Sequence, residues 1–93
     1  RRGRVLVNGA GGFLGRHTAQ AIASAGYALR VTDLPGVPLD WAEPLGEVAH
    51  ADLRRPAQAR AVCEGVRGVV NVAGVFDFSG SYETLYDVWI QEA

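Results

Sequence analysis

The chain has 93 residues, of which 48% are hydrophobic and 20% are charged, and its formal net charge is -1. This composition is typical of one compact domain, and it offers no broad basic surface for nucleic acid or for an anionic membrane. All nine basic residues are arginines. Chemistry that needs a lysine amine, such as a Walker A loop or a Tyr-Lys pair, therefore cannot be completed within these residues.

The few cysteine and histidine residues exclude a disulfide-stabilised fold and a structural zinc site. Cys63 is the only cysteine, so no internal disulfide can form, and His17 and His50 are too far apart in sequence for a local metal motif. No apolar run approaches the roughly 20 residues that a membrane span needs. We therefore expect a cytoplasmic domain without a signal peptide or a membrane anchor.

Hydrophobic periodicity predicts strands and helices in alternation. The four predicted strands, in chain order, are residues 5–7, 28–33, 47–51 and 66–72. The predicted helices run between Gly12 and Gly26, from Pro56 to Gly65, and over residues 81–93, with one more helical turn around Trp41. The expected buried face of the first helix comprises Leu14, Thr18, Ala21, Ile22 and Ala25, and Cys63 is expected on the inner side of the second helix.

Alternating strands and helices predict an α/β fold with a Rossmann-type parallel sheet, flanking helices and strand order 3-2-1-4. Its C-terminal half would be incomplete, so residues 1–93 are interpreted as the N-terminal part of a dinucleotide-binding domain. The fourth strand would then lie at an unprotected apolar edge. We expect the isolated chain to be marginally stable or to aggregate.

A glycine-rich loop lies between the first strand and the first helix. The spacing G-x-x-G-x-x-G matches Gly9, Gly12 and Gly15, whereas G-x-G-x-x-G fails because its third glycine would fall on Leu14. In such a loop one glycine makes the turn, one lets the backbone approach a pyrophosphate, and one lets the helix pack closely. The alternative interpretation is an ordinary flexible loop.

Asp33, at the end of the second predicted strand, favours the dinucleotide interpretation. An acidic residue about 20 positions after such a loop accepts hydrogen bonds from the adenosine ribose. A carboxylate there favours NAD over NADP, because it repels the extra phosphate. The alternatives are a turn cap before Pro35 for Asp33, and a phosphate site made by Arg16 and Arg54.

These motifs together resemble the extended short-chain dehydrogenase/reductase family, which includes NAD-dependent epimerases, dehydratases and 3β-hydroxysteroid dehydrogenase-like proteins. The resemblance is carried by residues 8–15, Asp33, residues 51–54 and residues 71–74. It implies that Asp52 and Leu53 lie beside the adenine, and that Ala73 and Gly74 line the nicotinamide-ribose side of the cleft. The full set of implied cofactor-binding residues is Gly9, Gly12, Phe13, Leu14, Gly15, Asp33, Asp52, Leu53, Ala73 and Gly74.

The family's catalytic Tyr-x-x-x-Lys is absent from this chain, which contains no lysine. The resemblance therefore implies the NAD(P)-binding half of an oxidoreductase or epimerase/dehydratase, whose intact form acts on a small-molecule substrate. It also implies a homodimer, because such proteins often pair. Two alternatives remain open: a dinucleotide sensor without catalysis, and an inactive incomplete fragment.

Overall fold

The computed structural model describes the backbone of residues 3–76 and 82–90 and the side chains of residues 3–72. The strands are β1 (Arg4–Asn8), β2 (Ala28–Asp33), β3 (Glu47–His50), β4 (Gly68–Phe76) and β5 (Tyr82–Ile90). The helices are α1 (Phe13–Ser24) and α2 (Pro56–Val62), with a short 3₁₀ turn at Asp40–Ala42.

The sheet has the order β3-β2-β1-β4-β5. Its first four strands are parallel, as the pairs Val7 with Val31 and Val7 with Val70 illustrate for β1. The predicted α/β fold and the strand order 3-2-1-4 are confirmed. Apolar, β-branched runs form these strands because a parallel sheet is covered by helices on both faces.

The predicted helix over residues 81–93 is wrong where the structure describes it. Tyr82–Ile90 forms β5, which pairs with β4 in antiparallel orientation from Gly68 opposite Ile90 to Phe76 opposite Tyr82. This segment is rich in aromatic and β-branched residues, which favour a strand, although its apolar residues also fit helical spacing. Residues 81 and 91–93 lie outside the described residues.

The predicted open edge of β4 is wrong for the same reason. β4 has neighbours on both sides, and the outer strands of the described sheet are β3 and β5. The stability of the isolated chain stays a prediction, now with β5 rather than β4 as the outer strand on that side of the sheet.

Helix α1 packs against the sheet through small residues. Gly15 and Ala19 are buried, whereas Ala21 and Ala25, predicted for the inner face, are exposed. The buried face of α1 is thus rotated by a fraction of a turn from the predicted face. Because its buried residues are small, the helix approaches the sheet closely. The core on this side of the sheet contains Val7, Ala10, Ala19, Leu29, Val31, Leu39, Ala42 and Val72.

Helix α2 covers the other face over a smaller core of Leu6, Ala51 and Val62. Arg30 ties the carboxyl end of α2 to β2, because its Nη1 donates to the carbonyl oxygens of Val62 and Glu64, both at 2.7 Å. Cys63 is exposed rather than buried, because it lies at the end of this short helix. Within residues 3–76 and 82–90, no helix is long and apolar enough to cross a membrane.

Candidate functional site

The glycine loop lies at the carboxyl edge of the parallel sheet. Residues 9–12 join β1 to α1, and β1 lies between β2 and β4 where the strand order reverses. In open α/β sheets such a reversal opens a crevice above the carboxyl ends of the strands, where ligands bind. The loop and the ends of β2 and β4 therefore border one crevice.

Gly9 and Gly15 are required by packing. Gly9 has a φ of +79°, and a Cβ there would collide with the carbonyl oxygen of Val72 in β4. A Cβ on Gly15 would collide with the carbonyl oxygen of Gly9 and lie 2.7 Å from the Cα of Ala10. Both glycines let backbone segments approach more closely than any side chain permits.

Gly12 has a different environment. It is the N-cap of α1, with extended backbone at φ -84° and ψ 171°, and it makes no side-chain cap hydrogen bond. A Cβ built there meets no described atom within 4 Å. The described fold therefore gives no steric or conformational reason for a glycine at this position.

The first turn of α1 presents backbone donors beside Gly12. The first N–H groups of an α-helix have no acceptor within the helix, and they carry the positive end of its dipole. The first turn of α1 contains no acidic residue. Leu14 packs partly against the core, whereas the Phe13 ring is 81% exposed and contacts His17 edge-on at 4.4 Å between ring centroids.

Asp33 joins the end of β2 to the glycine loop. Its Oδ2 accepts a hydrogen bond from the Gly11 N–H at 2.9 Å, and its Oδ1 accepts one from the Leu34 N–H at 2.8 Å. A Cβ on Gly11 would collide with Val37 and lie 2.8 Å from the Asp33 Oδ2. Gly11 lies outside the spacing that identified the loop, so the sequence reasoning missed it.

Asp52 and Leu53 follow β3, beside the end of β2. The Ala51 N–H donates to the Asp33 carbonyl oxygen at 3.0 Å, which joins the two strand ends. Leu53 packs partly against the smaller core. Asp52 Oδ1 accepts hydrogen bonds from the backbone N–H of Arg54 at 3.0 Å and from its Nε at 2.9 Å, and Oδ2 accepts from Nη2 at 2.9 Å.

This pairing changes the titration of both side chains. Hydrogen bonds from the Arg54 side chain, and then from its backbone N–H, lower the pKa of the Asp52 carboxyl from its ordinary 3.8 to about 2. The same side-chain hydrogen bonds raise the pKa of the Arg54 guanidinium. The pair is therefore charged on both sides, and neutral overall, across the physiological range.

Ala73 and Gly74 lie in β4, where their backbones pair with Leu85 and Thr84 of β5. Both residues belong to the carboxyl half of β4. A further link was not predicted: the Asn8 Nδ2 at the end of β1 donates to the Asn71 Oδ1 in β4 at 2.9 Å. Both asparagines interrupt apolar strands, which is the signal that would have pointed to them.

The structure thus brings most of the predicted residues to one edge of the sheet. Gly9, Gly12 and Gly15 lie in the loop, Asp33 is hydrogen-bonded to it, and Val72 at its back leads directly into Ala73 and Gly74. The hydrogen bond from the Ala51 N–H to the Asp33 carbonyl oxygen brings the start of the turn with Asp52 and Leu53 next to this group.

Comparisons with known proteins agree with this architecture. The sequence model of the NAD dependent epimerase/dehydratase family matches residues 5–91. Among curated proteins, the ceramide reductase of Caulobacter vibrioides is 37% identical over 76 residues, which are 80% of this chain and 24% of the reductase.

Solved structures show the same likeness. A nucleoside-diphosphate-sugar epimerase from Pseudomonas aeruginosa aligns with a TM-score of 0.71 and 29% identity, over 76% of this chain and 24% of the epimerase. A variant of uronate dehydrogenase from Agrobacterium tumefaciens, complexed with NAD, aligns with a TM-score of 0.69 and 36% identity, over 82% of this chain and 28% of the dehydrogenase. This chain spans about a quarter of the length of each of these relatives. Because the family match covers nearly all of its residues, the chain belongs to the NAD-dependent epimerase/dehydratase family.

Proposed function

We propose that residues 1–93 are the N-terminal part of a dinucleotide-binding domain, and that the pyrophosphate of the dinucleotide binds at Gly12 and the first turn of α1. The environment of Gly12 carries this proposal. Packing accounts for Gly9 and Gly15, but no described atom lies within 4 Å of a Cβ at Gly12. An external group that needs the backbone without a side chain accounts for this glycine.

The electrostatics of the first turn of α1 support the same ligand. Unpaired N–H groups and the positive end of the helix dipole stabilise an anion at this position. The first turn carries neither an acidic residue nor a side-chain cap that would compete for these donors. The backbones of Phe13, Leu14 and Gly15 would therefore face the phosphates.

The other site residues are assigned around this anchor. Asp33 would accept hydrogen bonds from the adenosine ribose. N–H groups take two of the roughly four acceptor positions on its carboxylate, which leaves two for the ribose hydroxyls. Asp52 and Leu53 would lie beside the adenine. Ala73 and Gly74 would border the nicotinamide ribose. The last two assignments come from the family resemblance and from the positions of these residues after β3 and within β4.

We further propose that NAD is preferred over NADP. The Asp33 carboxylate would repel the additional phosphate of NADP. The two arginines considered as alternative phosphate ligands have other partners: Arg54 binds the Asp52 carboxylate, and the Arg16 guanidinium lies 5.2 Å from the ring centroid of Trp41. Parallel titrations of the intact protein with NAD and NADP test this preference, which tighter binding of NADP would overturn.

In the intact protein we propose a dinucleotide-dependent oxidoreductase or epimerase/dehydratase that acts on a small molecule. A bound nicotinamide would supply or accept hydride, while the residues described here bind and orient it. A Ser or Thr and a Tyr-x-x-x-Lys that exchange protons with the substrate would have to come from outside residues 1–93, because this chain has no lysine. The homodimer and the cytoplasmic location stay predictions.

The experiment that tests the pyrophosphate site is Gly12→Val in the intact protein, with NAD binding measured by calorimetry. A side chain there would occupy the pyrophosphate position, so we expect at least about a hundredfold loss of affinity. The free energy of unfolding should fall by about 1 kcal/mol or less, because a Cβ at Gly12 meets no described atom within 4 Å.

Gln20→Ala is the matched control, because Gln20 is an exposed residue further along the same helix. It should leave NAD affinity unchanged. Unchanged affinity in Gly12→Val as well would show that the loop holds no phosphate.

A further inference from the structure

We infer that Asp33 is a positioning residue for the pyrophosphate loop in addition to its contact with the ribose. This inference rests on the proposed function. It starts from the hydrogen bond between the Gly11 N–H and the Asp33 Oδ2, at 2.9 Å, which joins the loop to the end of β2. A carboxylate that served the ribose alone would not need this bond.

The loop is anchored to β2 through three consecutive N–H groups. Those of Gly9 and Ala10 donate to the Thr32 carbonyl oxygen at 3.0 and 3.2 Å, and that of Gly11 donates to the Asp33 carboxylate. The next residue is Gly12, where the helix begins. Asp33 therefore supplies the last anchor before the backbone donors that we propose for the pyrophosphate.

Steric contacts at Gly11 make this anchor specific to glycine. A Cβ on Gly11 would collide with Val37 and approach the Asp33 Oδ2 to 2.8 Å. His50 holds the Val37 carbonyl oxygen through a ring nitrogen at 2.8 Å. Because a carbonyl oxygen only accepts, the His50 Nε2 must carry the proton. The segment after β2 is thus held close to the loop from the other side.

The two roles of Asp33 are compatible. Gly11 and Leu34 each occupy one acceptor position on a different carboxylate oxygen, so each oxygen keeps a position for a ribose hydroxyl. The same side chain would then fix the loop and accept the ribose. Removing its charge should therefore weaken binding at the pyrophosphate even when the ribose offers nothing to bind.

The test compares two ligands on two variants of the intact protein. The ligands are NAD and an NAD analogue whose adenosine ribose lacks both hydroxyl groups. The variants are Asp33→Asn, whose side chain keeps only one acceptor oxygen, and the control Asp40→Asn, which alters an exposed carboxylate outside the loop. Calorimetry gives the dissociation constant for each combination.

If Asp33 positions the loop, Asp33→Asn should bind the analogue about tenfold more weakly than the unsubstituted protein does, and Asp40→Asn should bind it equally well. Equal binding of the analogue by Asp33→Asn and the unsubstituted protein, with NAD weakened, would confine Asp33 to the ribose and overturn the inference. Failure of the unsubstituted protein to bind NAD at all would instead overturn the proposed function, and this inference with it.

Amide hydrogen exchange of the unsubstituted protein gives a second measurement that does not depend on whether a variant folds. Without ligand, the Gly11 N–H should exchange at least about tenfold more slowly than the Gly12 N–H, because only the former is bound to Asp33. Equal or faster exchange at Gly11 would overturn the inference.

Discussion

The loop that leads from β1 into α1 and the turn that leads from β3 into α2 differ in the groups that begin the helix. After β1, a run of glycines turns the chain into α1 and leaves the helix start without a side-chain cap. After β3, the turn before α2 is built from charged side chains, and the Asp52 carboxylate is bound by Arg54. The first loop exposes backbone donors, whereas in the second the carboxylate is paired with an arginine of the same turn.

This difference corresponds to two parts of the proposed ligand, the pyrophosphate and the adenine. A pyrophosphate is anionic and needs uncompensated donors, which the glycine loop supplies. An adenine is neutral, and in the turn after β3 the Asp52 carboxylate is already paired with Arg54. We therefore expect the unit of β1, its loop and α1 to bind a charged group through backbone N–H groups, and the unit of β3, its turn and α2 to lie beside an uncharged group.

The largest expected effect on stability comes from a substitution at Gly15, one of the two glycines that packing requires. A Cβ there would collide with the Gly9 carbonyl oxygen and approach the Ala10 Cα to 2.7 Å, and neither backbone atom can move cheaply. We expect Gly15→Ala to lower the free energy of unfolding by about 3 kcal/mol or more. Urea denaturation of the intact protein measures this. Gly12→Ala is the control and should cost less than about 1 kcal/mol; similar losses in the two variants would contradict the distinction between packed and open glycines.

In the unit formed by β3, its turn and α2, substitution should lower stability most at the carboxyl end of α2, which Arg30 binds. The Arg30 side chain is 13% exposed and donates to two carbonyl oxygens at the carboxyl end of the helix. Arg30→Met should lower the free energy of unfolding by about 2 kcal/mol, because charged hydrogen bonds are lost and carbonyl groups are left unpaired. Arg60→Met, at an exposed position in the last turn of α2, should change it by less than about 0.5 kcal/mol. An equal effect of the two substitutions would show that Arg30 does not hold the helix.

The predictable part of the fold is the part in which local pattern and tertiary packing agree. The apolar runs of β1, β2 and β4 are too short and too β-branched for helices, so their identity follows from sequence. Residues 82–90 combine helical spacing with the aromatic and β-branched composition of a strand, and pairing with β4 decided between the two. Such a non-local contact cannot be read from the segment itself.

The candidate site likewise contains residues that local sequence identifies and residues that only tertiary contacts reveal. Spacing alone identified Gly9, Gly12 and Gly15, because their roles follow from the turn between strand and helix. Gly11 could not be identified in this way, since its requirement comes from Val37 and Asp33, which are distant in sequence. The Asp52 and Arg54 pair was also missed, although a carboxylate two residues before an arginine in a turn is a local signal that could have been used.

The smallest expected effect tests the pair of Asp52 and Arg54 in the turn after β3. Hydrogen bonds from Arg54 hold the pKa of Asp52 at about 2, below its ordinary 3.8. Because the pKa is lower in the folded state, the ionised carboxylate contributes stability that is fully present above about pH 4 and is lost as the pH falls towards 2. In Arg54→Met, carboxyl NMR should find the Asp52 pKa raised from about 2 towards its ordinary 3.8, because the side-chain hydrogen bonds are lost while the backbone N–H at position 54 still donates. The acid loss of stability should then be shallower than in the unsubstituted protein. Arg55→Met is the matched control, since the Arg55 Nε lies 4.0 Å from the Asp52 Oδ2 and should move this pKa far less. A pKa that stays near 2 in Arg54→Met would mean that the Arg54 side chain does not hold the carboxylate.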